Sequence, residues 1–107
     1  MVLLSVSCGR QHTAEQTVKA FVEENMEVAG EISNRDFADL GTTRHINDSI
    51  IQVMRHHGAP LFRQGTDYAE APQGELYYLR MSYVHHGDTL QNTFYLDQEL
   101  KEVVAFK

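Results

Sequence analysis

From Gly74 to Lys107 apolar and polar positions alternate with a period of two. Tyr77, Leu79, Met81 and Tyr83 fall on one face, and Tyr78, Arg80 and Ser82 on the other, the pattern of a half-buried strand. Gly87-Asp88 breaks the run. It resumes from Thr89 to Leu96, with Leu90, Phe94 and Leu96 on one face and Gln91, Thr93 and Tyr95 on the other. Asp97-Gln98-Glu99 breaks it again, and Val103 to Phe106 is a third β-rich run. Three strands with tight connections predict an antiparallel meander whose apolar face the rest of the chain must cover.

Upstream the period changes. Ala14, Val18, Phe21, Val22 and Met26 recur at helical spacing, and Glu15, Lys19, Glu23 and Glu24 face away. Thr13 and Gln16 read as a capping box, and Gly30 as a residue that ends a helix. A helix is expected from Ala14 to Ala29. A second, from Asp48 to His57, follows the candidate caps Asn47-Asp48-Ser49 and stops at Gly58, with Pro60 beyond. Its apolar stripe reads as Ile46, Ile50, Val53, Met54 and His57. Between the helices, Arg35 to Ile46 predicts an irregular strand, or a turn and a strand. Leu61, Phe62 and Tyr68 suggest a further strand interrupted at Gly65, and Ala69 to Gln73 a loop. The fold class is therefore α+β. An N-terminal helix and a second short helix pack on a curved antiparallel sheet of about four strands, ending in the three-strand meander.

At 107 residues the chain is one domain, and it shows no internal repeat. The formal net charge is -6. An acidic surface argues against nucleic acid and against electrostatic binding to anionic lipid. No stretch approaches the roughly 20 apolar residues that span a bilayer. One cysteine excludes an internal disulfide and a Cys-based zinc site.

That cysteine sits in a telling place. Met1 to Cys8 reads MVLLSVSC: Val2, Leu3, Leu4 and Val6 are apolar, Ser5 and Ser7 are small, and Cys8 follows. This resembles the end of a bacterial lipoprotein signal. The resemblance implies that Cys8 receives lipid and becomes the N-terminus, and two acyl chains suffice for stable anchoring. No Lys or Arg precedes the run, which is shorter than the roughly 7–15 residues of a full hydrophobic region, as expected if the leader starts further upstream. Residues 1–12 then form a signal remnant and tether, and residues 13–107 the domain. Membrane association is expected through lipid on Cys8 only. In the lipoproteins it resembles, acidic residues after the cysteine favour display outside the cell; with Gly9-Arg10-Gln11 there instead, the resemblance implies a periplasm-facing domain.

Candidate chemistry is sparse. His56-His57 and His85-His86 are adjacent pairs, while His12 and His45 stand alone. Members of two pairs could meet across the fold, with Asp88 or Asp67 as a third ligand. However, there is no H-E-x-x-H and no H-x-H, so no metal set is assigned, and turn or helix-end histidines are expected in solvent. Tyr77, Tyr78, Tyr83, Tyr95, Phe94 and Phe106 lie on the sheet, where aromatic residues favour cross-strand packing or line a pocket. The ligand-binding candidates are Tyr68, Tyr83, His85 and Asp88. Asp36, Asp39 and Asp67 read as solvated. No catalytic triad and no Gly-rich phosphate loop can be drawn, and no catalytic residue or cofactor is expected.

The order helix, irregular strand, helix, strand and meander resembles small cystatin-like and NTF2-like domains. With Cys8, the TAEQTVKAFVEE helix and the closing FYLDQELKEVVAFK hairpin, the chain is similar to small lipoproteins of Bacteroides-type bacteria. Gln52-Val53 does not continue into the Q-x-V-x-G loop of cystatins. The resemblance implies a non-enzymatic cell-envelope lipoprotein domain that binds a protein partner or a small ligand. The alternative is an NTF2-like enzyme or binder with a tyrosine-lined pocket.

Overall fold

The computed structural model describes residues 2–63, 66, 68, 70 and 72–107, with residues 2–8 described by their backbone alone. The elements are α1 (Val2–Asn25), a 3-10 turn (Ala29–Glu31), β1 (Ser33–Phe37), β2 (Gly41–Thr43), α2 (Asp48–His57), β3 (Leu76–His85), β4 (Asp88–Leu96) and β5 (Val103–Phe106). This is the expected α+β class, two helices on an open antiparallel sheet of five strands. The order is β1-β3-β4-β5, and β2 shares the β1 edge of β3. The additional strand arises because the Arg35 to Ile46 stretch divides. β1 pairs Phe37 with Met81, β2 pairs Gly41 with Tyr78, and the chain leaves the sheet between them. Gly41 is required at that register. A Cβ there would stand 2.5 Å from Cζ of Tyr78, whose ring lies across the glycine.

The alternation of β3 divides the interior into two cores. Leu79, Met81 and Tyr83 join Phe94 and Leu96 of β4 and Phe106 of β5 beneath Ala14, Val18 and Val22 of α1. Leu76 and Tyr95 join Val104 and Ala105 beneath Ile51 and Met54 of α2. Leu76, with Tyr78 beside it, thus has a helix of its own at the start of β3, which a single-face reading does not foresee. On β5 the adjacent Val104 and Ala105 serve one core, while Val103 and Phe106 serve the other. A register shift, in which Leu96 pairs with Val103 but Tyr95 with Ala105, supplies the extra residue. Such a bulge re-aims side chains within one strand.

Helix α1 departs from expectation at both ends. It does not begin at Ala14, because Leu3, Leu4, Arg10 and Gln11 are good helix formers and each adds a bond to an existing helix. Thr13 is no cap; its hydroxyl donates to the Gly9 carbonyl one turn back, at 2.8 Å. The helix stops at Asn25, before Gly30. There the Asn25 amide donates to Phe21 O at 3.0 Å, competing with the backbone ladder. Met26 then bridges Phe62, and Arg63 N donates to Asn25 O at 2.7 Å. That bridge is what the expected strand at Leu61 and Phe62 amounts to among the described residues; the break at Gly65 lies outside them, as do Ala69 and Ala71 of the expected loop. Gln11 fixes the other end of the contact. Its Nε2 donates to Ala38 O at 3.0 Å, and its Oε1 accepts from Leu40 N at 2.8 Å.

The bounds of α2 match the expectation. Asn47 Oδ1 accepts from Ile50 N at 2.9 Å, and Gly58 takes φ +59° while its amide donates to Met54 O. Its facing does not match. Ile51 and Met54 are buried, whereas Ile50 and Val53 are 38% and 56% exposed. One residue along a helix is a rotation of 100°. The helix turns by that much to seat Ile51 against Leu76 and Tyr95 and to let Arg55 Nε donate to Val104 O at 2.8 Å.

Phe21 sits half-buried among four rings, with centroids 5.5–6.4 Å away on Phe106, Phe94, Tyr68 and Phe62. Phe21→Ala is expected to cost about 3–4 kcal/mol, and the exposed Val53→Ala less than about 0.5 kcal/mol. Urea melts test the ranking. Equal losses would mean that the outer stripe of α2 packs inward after all.

Candidate functional site

The four ligand-binding candidates do not converge among the described residues. Tyr83 lies in the α1 core, and its hydroxyl donates to Oδ1 of Asn92. Asn92, itself 6% exposed, donates from Nδ2 to Lys107 O at 3.2 Å. The tyrosine hydroxyl is therefore already engaged, in a buried network that reaches the last residue of the chain. Burial pushes the Tyr83 phenol above its ordinary value near 10. Tyr68 lies against Phe21, with the Arg55 guanidinium 4.8 Å from its ring centroid. Burial raises its pKa as well, and Arg55 partly offsets the rise. Only His85 and Asp88 come together, as the cross-strand pair that closes the β3–β4 hairpin.

Three open clefts lie elsewhere. One of about 470 Å³ runs between α1 and the β4–β5 loop, past Thr17, Glu24, Arg63 and Lys101. A second, of about 610 Å³, lies beside Gln11, His12, Asp39 and Tyr77. A third, of about 400 Å³, lies on the α2 side of the sheet among His45, Tyr78, Arg80, Thr93 and Lys107. None of the three includes Tyr68, Tyr83, His85 or Asp88. Between α1 and the sheet the packing is solid, with Val18, Val22, Leu79, Met81 and Phe94 fully buried.

Among the described residues, three side chains that could ligate a metal gather at the hairpin turn. His86 and Gly87 form a two-residue turn with φ +51° and +85°. Such turns demand a left-handed conformation at both positions and favour Asn-Gly. A histidine there is uncommon, though it tolerates that region better than most side chains. The rings of His85 and His86 stack with centroids 4.0 Å apart and planes 16° apart. Antiparallel pairing of Ser33 with Val84 carries the end of the 3-10 turn alongside, and Glu31 Oε1 lies 3.1 Å from His86 Nε2. Glu31, His85 and His86 each offer one ligand atom, all within 4.8 Å of one another. Nε2 of His85 is buried without a hydrogen-bond partner. The sequence shows the adjacent histidines but not Glu31, which lies 54 residues before His85 and enters only through the β1–β3 pairing. Asp67, the expected alternative third ligand, lies outside the described residues, as does the side chain of Cys8.

Compared with family models, curated proteins and solved structures, the chain matches none. Among the described residues no helix is long and apolar enough to cross a membrane.

The engaged phenol gives a pH dependence. A group whose pKa is higher folded than unfolded stabilises the fold below its unfolded pKa and loses that contribution as pH rises. Tyr83 and Tyr68 are both raised, so stability should fall as pH climbs past about 10. Tyr83→Phe should cost about 1–2 kcal/mol at pH 7, because Asn92 loses its donor, and should flatten the alkaline fall. Denaturant melts at pH 7, 9 and 11 measure both. An alkaline fall as steep in the variant would exclude Tyr83 as its source.

Proposed function

We propose that the chain is a non-enzymatic domain of a bacterial cell envelope, held by lipid on Cys8 and facing the periplasm, that binds a partner protein or a small ligand. The supporting observation is the grip of Gln11. The side-chain contacts that α1 makes with Ala38 and Leu40 begin at Gln11, so cleavage ahead of Cys8 leaves them intact. The reading modifies the tether. From Cys8 to Gln11 an α-helix rises only about 4.5 Å, so the lipidated domain rests against the membrane instead of hanging from a linker. The far end of α1 then stands away from the bilayer, about 21 Å further along the helix from Gln11 to Asn25. The uncovered part of the α2-side sheet face, with Tyr78, Arg80 and Thr93, remains open to a partner.

Fractionation of a bacterial host that expresses the protein from its natural chromosomal context tests the anchor. The native protein is expected with the membranes and Cys8→Ser with the soluble fraction. Identical soluble behaviour of the two would end the proposal. Gln11→Ala should keep the membrane address yet lower stability by about 1–2 kcal/mol, as two backbone groups lose their partner.

A further inference from the structure

We propose that Glu31, His85 and His86 form a binding site for a divalent transition metal of the zinc type. The donor set is two imidazoles and one carboxylate, the ligand chemistry of zinc sites that keep an open fourth position. Imidazole nitrogen also suits nickel and copper, whereas magnesium and calcium prefer all-oxygen shells. The ligand atoms lie within 4.8 Å of one another. Around a tetrahedral zinc with bonds of roughly 2.0–2.1 Å they would stand about 3.3 Å apart, so closure requires the more distant atoms to approach by up to about 1.5 Å. Glu31 and His86 are already at 3.1 Å.

The contact between His86 and Glu31 accounts for part of this arrangement and leaves the rest unexplained. It gives no reason for the second imidazole stacked at 4.0 Å. Nor does it satisfy Nε2 of His85, buried and without a partner. It also does not explain a histidine at φ +51°, where asparagine is the ordinary choice. A metal ion accounts for all three. It takes the lone pair of each imidazole, and the left-handed turn at His86 is what lets two adjacent residues of a hairpin aim at one point. In a continuous strand they would point to opposite faces. Hairpin and 3-10 turn are fixed by independent pairings, Val84 with Ser33 and His85 with Asp88, so the three donors are assembled before any ion arrives. The net charge of -6 favours cations in general.

Zinc binding is measured by competition with a chromophoric chelator, using the full chain without a histidine tag and with Cys8→Ser to remove the thiol. The test does not depend on the anchoring reading. The expected result is one saturable zinc per chain, with a thermal midpoint that rises with zinc. His86→Asn keeps the turn, because asparagine adopts the left-handed region, and removes one ligand. It and Glu31→Gln are each expected to weaken binding by about tenfold or more. The double variant His56→Ala/His57→Ala, on α2, should bind as the parent does. No saturable uptake, undiminished affinity in His86→Asn, or loss of binding in the α2 variant would each overturn the proposal.

Discussion

Strand β3 presents Leu79, Met81 and Tyr83 to one helix and Leu76 to the other, and this alternation is what every other element is arranged around. β1 and β2 share one of its edges and β4 takes the other, so three of the remaining four strands hydrogen-bond to it directly. A slip of one residue would send each core's side chains into the opposite core. The face toward α1 is buried at Leu79, Met81 and Tyr83 and the face toward α2 at Leu76, so such a slip would expose Leu79, Met81 or Tyr83 where Arg80 now meets solvent. The bulge at Val104 shows the same demand from the far strand. β5 spends an extra residue so that Val104 and Ala105 meet α2 while Val103 and Phe106 still meet α1.

The meander was legible because its period of two is local, carried by residues such as Leu79, Met81, Phe94 and Leu96. The ends of α2 were legible for a similar reason: Asn47 and Gly58 act on backbone groups three or four residues away. The facing of α2 was not. Ile50, Ile51, Val53 and Met54 allow two stripes about 100° apart, and only Tyr95, Val104 and Ala105 decide between them. The start of α1 was hidden because Thr13 has the chemistry of a cap, yet a helix already running through Gly9 offers it a carbonyl instead. Of the candidate site, the histidine pair and its Gly-containing turn stood in plain view. Glu31 did not, since nothing local ties a 3-10 turn to a hairpin so far along the chain.

The β4–β5 connection shows how α1 and the sheet fix each other. Asp97 accepts from the amides of Lys101 and Glu102 at 2.8 and 3.3 Å, which tightens the loop. Leu100 is held at φ +60°, a region that disfavours bulky residues. It stays there because its side chain is 5% exposed in the α1 core and its carbonyl accepts from Thr17 at 2.6 Å. Backbone strain of about 1–3 kcal/mol is offset by packing on one side and a hydrogen bond on the other. Helix and loop thus lock as one unit.

The Gln11 side chain has a consequence for how copies of this protein meet. An open sheet exposes rows of amides and carbonyls at its outer strands, and these invite a strand from a second molecule. On the β1–β2 side that row is interrupted between Phe37 and Gly41, where Ala38 O and Leu40 N are both taken by Gln11. On the other side β5 is four residues long, and Arg55 takes the Val104 carbonyl. One glutamine and one arginine therefore work as guards against edge-to-edge polymerisation.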